Sequence, residues 1–253
     1  MRIFEIIFSP TGGTQKCADI IAAAFGKEVE IIDLADYAYD FTSTDITKED
    51  VCIIAAPAYG GRIPKIAASR LGSILGNGSK AILIAVYGNR EFDDCLVELQ
   101  DIAAENGFLP IAGIGAVAEH SFVRKFGAGR PDHDDIAELN KFAEQILTKI
   151  ESGSLEVPSF PGNRPYKEFP GSNIRPLTND NCVKCKLCAW QCPVEAISEM
   201  TPDLTDQEKC ISCMRCVSIC PNHARYLAPE MAEMLTQKLA PVASERKNNT
   251  LYL

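Results

Sequence analysis

Eight of the eleven cysteines fall into two runs of one spacing: Cys182, Cys185, Cys188 and Cys192 followed by Pro193, then Cys210, Cys213, Cys216 and Cys220 followed by Pro221. A tight loop lets the first three thiols of each run converge on one centre. The fourth begins a helix that points away from it, and the proline ends the loop where no backbone donor is needed. Zinc sites fit this pattern poorly, because paired CxxC knuckles supply four ligands per ion and these runs leave triples plus strays. A disulfide framework suits short secreted chains, whereas the opening MRIFEIIFSP carries Glu5 inside its apolar run and lacks a cleavage site. Cys17, Cys52 and Cys95 lie outside the runs among alanine, isoleucine and leucine, and read as small core residues.

Each run reads CxxCxxCxxxCP, and over roughly residues 179–228 the chain resembles the bacterial two-cluster ferredoxins. That resemblance implies a small α+β domain with two [4Fe-4S] clusters and a crossed ligand pattern, because the fourth thiolate of each run serves the other cluster. One cluster is expected on Cys182, Cys185, Cys188 and Cys220, the second on Cys210, Cys213, Cys216 and Cys192.

The 253 residues suggest one large or two unequal domains, and a hydrophobic fraction of 46% is enough for a core. No stretch approaches a membrane span, so the expected address is the cytoplasm, where thiols stay reduced. The formal charge is −9, of which residues 1–150 carry −8, and nucleic acid is not an expected partner.

Residues 1–150 alternate short apolar runs with helical patterns. Candidate strands are 3–8, 29–32, 51–56, 81–87 and 109–117, with helices after the first, third, fourth and fifth; the polar crossover 33–50 shows no clear helix. In the last helix Ile136, Leu139, Phe142, Ile146 and Ile150 form one apolar stripe. These units predict an α/β fold, a doubly wound five-stranded parallel sheet with helices on both faces. Five prolines between 152 and 178 mark 151–178 as a linker, open to swinging or to docking. Residues 229–253 form a tail that starts with a short helical pattern and has no motif.

Three loops at strand C-terminal ends are candidate ligand contacts. The first holds Ser9, Thr11, Gly12, Gly13 and Thr14 and opens into a helix, an arrangement suited to phosphate because glycines admit backbone N–H groups, hydroxyls donate and the helix N-terminus favours negative charge. It lacks a Walker lysine. The second is Pro57, Ala58, Tyr59, Gly60 and Gly61, and the third Tyr87, Gly88, Asn89 and Arg90. On these loops residues 1–150 resemble the flavodoxins. The resemblance implies FMN, with its phosphate on the first loop, its ring between the other two and stacked on Tyr59 or secondarily Tyr87, and backbone N–H groups around Gly60, Gly88 and Asn89 facing the ring. Flavodoxins often place a tryptophan beside the ring, but the only one here is Trp190, among the cysteines.

Gly113, Gly115 and Ala118 spell GxGxxA inside a strand, which reads as packing rather than a dinucleotide turn. His120, His133 and His223 read as surface or packing residues, with a proton-supplying role for Glu119, His120 and Ser121 as the alternative. Lys184 and Lys186 read as solvated. The whole arrangement resembles flavodoxin and ferredoxin fusion proteins of anaerobic bacteria and archaea. It implies an electron-transfer flavoprotein that pairs one-electron clusters with a flavin able to hold one or two electrons, served by a ferredoxin or a cluster-bearing oxidoreductase. A redox-sensing or partner-binding module without tightly bound flavin, and a flavin-dependent reductase of a small substrate, stand as alternatives.

Overall fold

A computed structural model describes all 253 residues. Strands β1 (Ile3–Ile7), β2 (Val29–Asp33), β3 (Val51–Pro57), β4 (Lys80–Tyr87) and β5 (Leu109–Val117) pair in parallel in the order β2-β1-β3-β4-β5. This is the flavodoxin-like doubly wound order. The inner strands are buried on both faces, which is why β3 reads VCIIAAP with no alternation of polar residues. Helices α1 (Gly13–Ala23) and α4 (His133–Glu151) cover one face through Ile21, Leu139, Ala143 and Ile146. Helices α2 (Lys65–Leu71) and α3 (Cys95–Glu105) cover the other through Leu71, Leu96 and Leu99. Cys17, Cys52 and Cys95 are fully buried in these two layers. No helix forms between β2 and β3, where the chain is built of turns.

The tail forms the helix its pattern announced and adds a strand that its polar end did not. It forms α7 (Pro229–Ala243) and then β8 (Thr250–Tyr252), which pairs antiparallel with Gly113–Gly115 of β5. The sheet therefore has six strands, five of them parallel, and the sixth shields the free edge of β5.

The proline-rich segment is docked along the sheet. Phe160 is buried over Gly113, where an added Cβ would strike its ring, so this glycine of the GxGxxA string makes room for packing. Asp94 holds the segment further on: its carboxylate accepts from the Asn163 N–H at 2.8 Å, the Asn163 side chain at 3.0 Å and the Lys167 N–H at 2.7 Å. Burial alone would raise the Asp94 pKa, but these donors outweigh it and hold the carboxyl below its ordinary range. Arg164 and Tyr166 bond to Asp101, and the Arg62 guanidinium donates to the Lys167 carbonyl at 2.7 Å.

The cysteine-rich region contains β6 (Leu177–Thr178), α5 (Leu187–Trp190), α6 (Arg215–Ser218) and β7 (Arg225–Tyr226), with β6 and β7 paired antiparallel. Its two halves repeat at an interval of 28 residues, down to the backbone. Lys184 and Ser212, Lys186 and Met214, and Glu195 and His223 are matched pairs, all at φ between 50° and 65°. Such left-handed positions turn successive N–H groups toward one side, as in anion-binding nests.

Candidate functional site

The cysteine sulfurs lie around two small cavities. Cys182, Cys185 and Cys188 line one together with Cys220 from the second run; Cys210, Cys213 and Cys216 line the other together with Cys192 from the first. The exchange has a local cause, since the third thiol of each run sits on the short helix after a left-handed residue and the fourth sits past that helix. The Ala196 N–H donates to Cys192 Sγ at 3.2 Å, and the Ala224 N–H donates to Cys220 Sγ at 3.3 Å, a matched pair four residues beyond each fourth thiol. No group of three or more ligands is gathered tightly enough for a single metal ion.

The donor chemistry around the cavities suits an iron–sulfur cluster. The Nε atoms of Arg215 and Arg225 are buried with no hydrogen-bond partner in the protein. Arg225 is itself buried, pinned by the Thr205 hydroxyl at 2.7 Å and the Pro202 and Leu204 carbonyls, with one guanidinium nitrogen 3.9 Å from Cys188 Sγ. A buried cation with an unspent donor beside thiolates is the complement of an anionic cluster. Nothing in the sequence pattern singled out Arg225; only the strand pairing of β6 and β7 brings it inward.

A larger cavity of about 620 Å³ lies at the C-terminal ends of β1, β3 and β4. From the expected loops it is lined by Thr11, Gly13, Thr14, Pro57, Ala58, Tyr59, Gly60, Tyr87 and Gly88. The first loop leaves backbone donors free at the start of α1. Gly12 takes a left-handed φ of 87° at the start of α1, and the N–H groups of residues 11–14 have no backbone acceptor. Ser9 is spent differently, its hydroxyl accepting from the Gln15 N–H at 2.8 Å.

Gly61, Asn89 and Arg90 are placed otherwise. Gly61 has a φ of 89° and packs against Asp93, and Arg90 pairs with Asp93. The Asn89 side chain turns away from the cavity and holds the tail, donating to the Ala243 and Glu245 carbonyls at 2.6 and 2.8 Å and accepting from the Lys247 N–H at 3.0 Å. Tyr59 is half-buried; desolvation of its phenol, and after it the charge of the neighbouring Cys213, push the pKa well above the ordinary value. His120 packs on Gly88 and lines the cavity. Burial and the nearby Arg90 charge lower its pKa to about 4, and its Nδ1 faces the Phe122 and Val123 N–H groups at 3.2 Å. It is therefore neutral, with the proton on Nε2.

The far wall was not legible in the sequence. Phe169, Pro170, Ser172 and Arg175 of the docked segment, and Gln207 to Ile211 of the cysteine-rich region, complete the cavity. Phe169 packs on Gly60 where a side chain would collide with it. Arg175 donates to the Gln207 carbonyl at 2.7 Å and the Ser212 hydroxyl at 2.8 Å, tying the two parts of this wall together. Also lining the cavity, Arg62 and Glu98 form a two-pronged ion pair, both contacts 2.7 Å.

Residues 177–198 and 204–226 each match the 4Fe-4S binding domain family. The cysteine-rich region thus carries two successive segments of that family. The chain is 49% identical over 47 residues to an uncharacterised protein of Methanocaldococcus jannaschii and 39% identical over 56 residues to one component of the ion-translocating oxidoreductase complex of Methanosarcina acetivorans. These segments are 19% and 21% of this chain, and the chain spans only about a fifth of either relative, 18% and 21%. Among solved structures, a flavodoxin from Streptococcus pneumoniae TIGR4 is 21% identical with a TM-score of 0.40, covering 58% of this chain and 99% of that one. An archaeal flavodoxin is 15% identical with a TM-score of 0.43, covering 60% and 99%. The strand order, not these superpositions, carries the fold. No helix is long and apolar enough to cross a membrane.

Proposed function

We propose that this chain is an electron-transfer iron–sulfur flavoprotein that passes electrons between two [4Fe-4S] clusters and FMN. In this reading residues 1–150 form the flavin-binding domain, 151–178 the linker, 179–228 the cluster domain and 229–253 the tail, with the cytoplasm as the working compartment. The carrying observation is a single cavity bounded by Thr11, Thr14, Tyr59 and Gly88 on one side and by Cys210 on the other. The two crossed sets of four cysteines would hold the clusters. The first loop would hold the FMN phosphate through residues 11–14, with the ring between the loops of Tyr59 and Gly88. When bound, the flavin supplies a site that accepts electrons singly or in pairs, joining one-electron carriers to two-electron chemistry.

The protein's own part is placement and shielding. Phe169 and the 207–211 loop keep water from one side of the cavity, and the neutral His120 offers an N–H donor without adding charge. A redox protein, either a ferredoxin or a cluster-bearing oxidoreductase, is the proposed partner class. The match to a component of an oxidoreductase complex of Methanosarcina acetivorans supports that class. Anaerobic purification followed by iron, sulfide and flavin assay tests the reading: about eight irons and one FMN per chain are expected. Zinc in place of iron, or failure to retain added FMN, overturns it.

A further inference from the structure

The two cysteine sites are not equivalent with respect to the flavin cavity. Cys210 and Ile211 line both that cavity and the site of Cys192, Cys210, Cys213 and Cys216, whereas the site of Cys182, Cys185, Cys188 and Cys220 shares no residue with it. Ile211 also packs against the apolar core beneath β3 and β4.

The same side carries the anchors to the sheet domain. The Arg70 guanidinium donates to the Pro193 carbonyl, next to Cys192, at 2.8 Å, and Arg215, between Cys213 and Cys216, faces Asp33 at 3.7 Å. Cys192 and Cys213 are buried. By contrast, the hydrogen bonds and ion pairs of 182–188 and 220–225 stay within the cysteine-rich region; Lys184 pairs with Asp203 and Lys186 with Glu199. Cys185 is exposed, and Val183 beside it is 68% exposed.

We infer that the site of Cys192, Cys210, Cys213 and Cys216 is the flavin-side relay, and that the site of Cys182, Cys185, Cys188 and Cys220 is where an external one-electron carrier of the iron–sulfur class exchanges electrons. This order rests on the proposed function. In the reducing direction the external carrier is oxidised by one electron at the outer site. The site of Cys192, Cys210, Cys213 and Cys216 would hand that electron on to the flavin, with no bond made or broken between the two sites; a second electron from a second carrier, with protons from solvent, would complete the two-electron reduction. The reverse direction uses the same order.

The test uses the full chain loaded anaerobically with iron and sulfide. An iron chelator such as bathophenanthroline disulfonate is added with and without FMN, and iron release is followed by absorbance. Two phases of comparable amplitude are expected. The fast phase is indifferent to FMN, and the slow phase is slowed about tenfold at FMN tenfold above its Kd, because the flavin must leave before the inner site opens. The serine variants Cys220→Ser and Cys210→Ser, which keep an oxygen ligand, assign the phases: Cys220→Ser alters the fast one and Cys210→Ser the slow one. Cys210→Ser also shifts FMN affinity, and Cys220→Ser leaves it within about twofold. Protection of the phase altered by Cys220→Ser, or equal protection of both, overturns the order while the flavoprotein reading stands. If the unmodified protein binds no FMN, both fail. If one variant loses all its iron, the other still assigns one phase to its site and the second phase by difference.

Discussion

The Arg70 guanidinium on α2 donates to the carbonyl oxygens of Leu34 at 2.7 Å and Pro193 at 2.8 Å, so a single side chain staples the turn after β2 to the residue following Cys192. Burial is the leading influence on this guanidinium and lowers its pKa. Two carbonyls across an interface are a use for arginine that an apolar residue cannot replace. Arg70→Met is expected to loosen the cysteine-rich region from the sheet at a cost of about 2 kcal/mol. Limited proteolysis should then cut faster within 151–178 while iron content is unchanged; an unaltered digestion rate contradicts this role.

Thr11→Glu places a carboxylate in the cradle at the start of α1. Like charges brought together there cost several kcal/mol, so FMN affinity should fall by about 100-fold. Iron content should not change, because the cysteine sites share nothing with this loop. Fluorescence titration with FMN reads the effect, and retained affinity would move the phosphate elsewhere.

Arg225 carries a buried positive charge beside Cys188. Reduction adds negative charge to a cluster, so a nearby cation favours the reduced form. Arg225→Gln should lower the cluster potentials by an amount on the order of 50 mV, and Arg225→Lys should restore much of it. An anaerobic redox titration followed by electron paramagnetic resonance measures the shift. Identical potentials in all three proteins would show that Arg225 only holds the Pro202 and Leu204 carbonyls.

Glu5 is an acid inside β1, 2% exposed, accepting from the Gln15 amide at 2.8 Å. Burial, followed by the charge of Asp19, raises its pKa to about 7. The folded chain thus binds this proton more tightly than the unfolded chain does. The contribution is complete below the ordinary carboxyl range and is lost as pH rises toward about 7. The loss is on the order of 2 kcal/mol after a discount for solvent screening. Glu5→Gln should flatten the pH dependence and be the more stable protein at pH 8. Urea midpoints measured across that range decide it; parallel curves for the two proteins would sink the assignment.

The legible parts of the chain were those in which local pattern and global role coincide. Five apolar runs became five parallel strands, the inner ones covered on both faces, and of the stripe on α4 Leu139, Phe142, Ile146 and Ile150 pack against the sheet while Ile136, in the first turn, stays exposed. Less legible were residues whose role depends on a distant partner. The Asn89 side chain is spent on carbonyls of the tail about 150 residues later, which its place in a short loop does not encode, and Phe160 and Phe169 of the proline-rich segment fill gaps over Gly113 and Gly60.

The sequence by itself determined the chemistry that spacing can encode: two repeated cysteine loops, a glycine and hydroxyl turn ahead of a helix, and the period of each element. Those features depend on bonds and dihedrals a few residues apart. Tertiary structure alone decided that the tail closes the sheet edge, that Arg225 lies buried beside Cys188, and that Cys210 shares a wall with the loops of Tyr59 and Gly88. Such neighbours are chosen by packing and by the pairing of buried polar groups between segments far apart in the chain, and no local pattern records that choice.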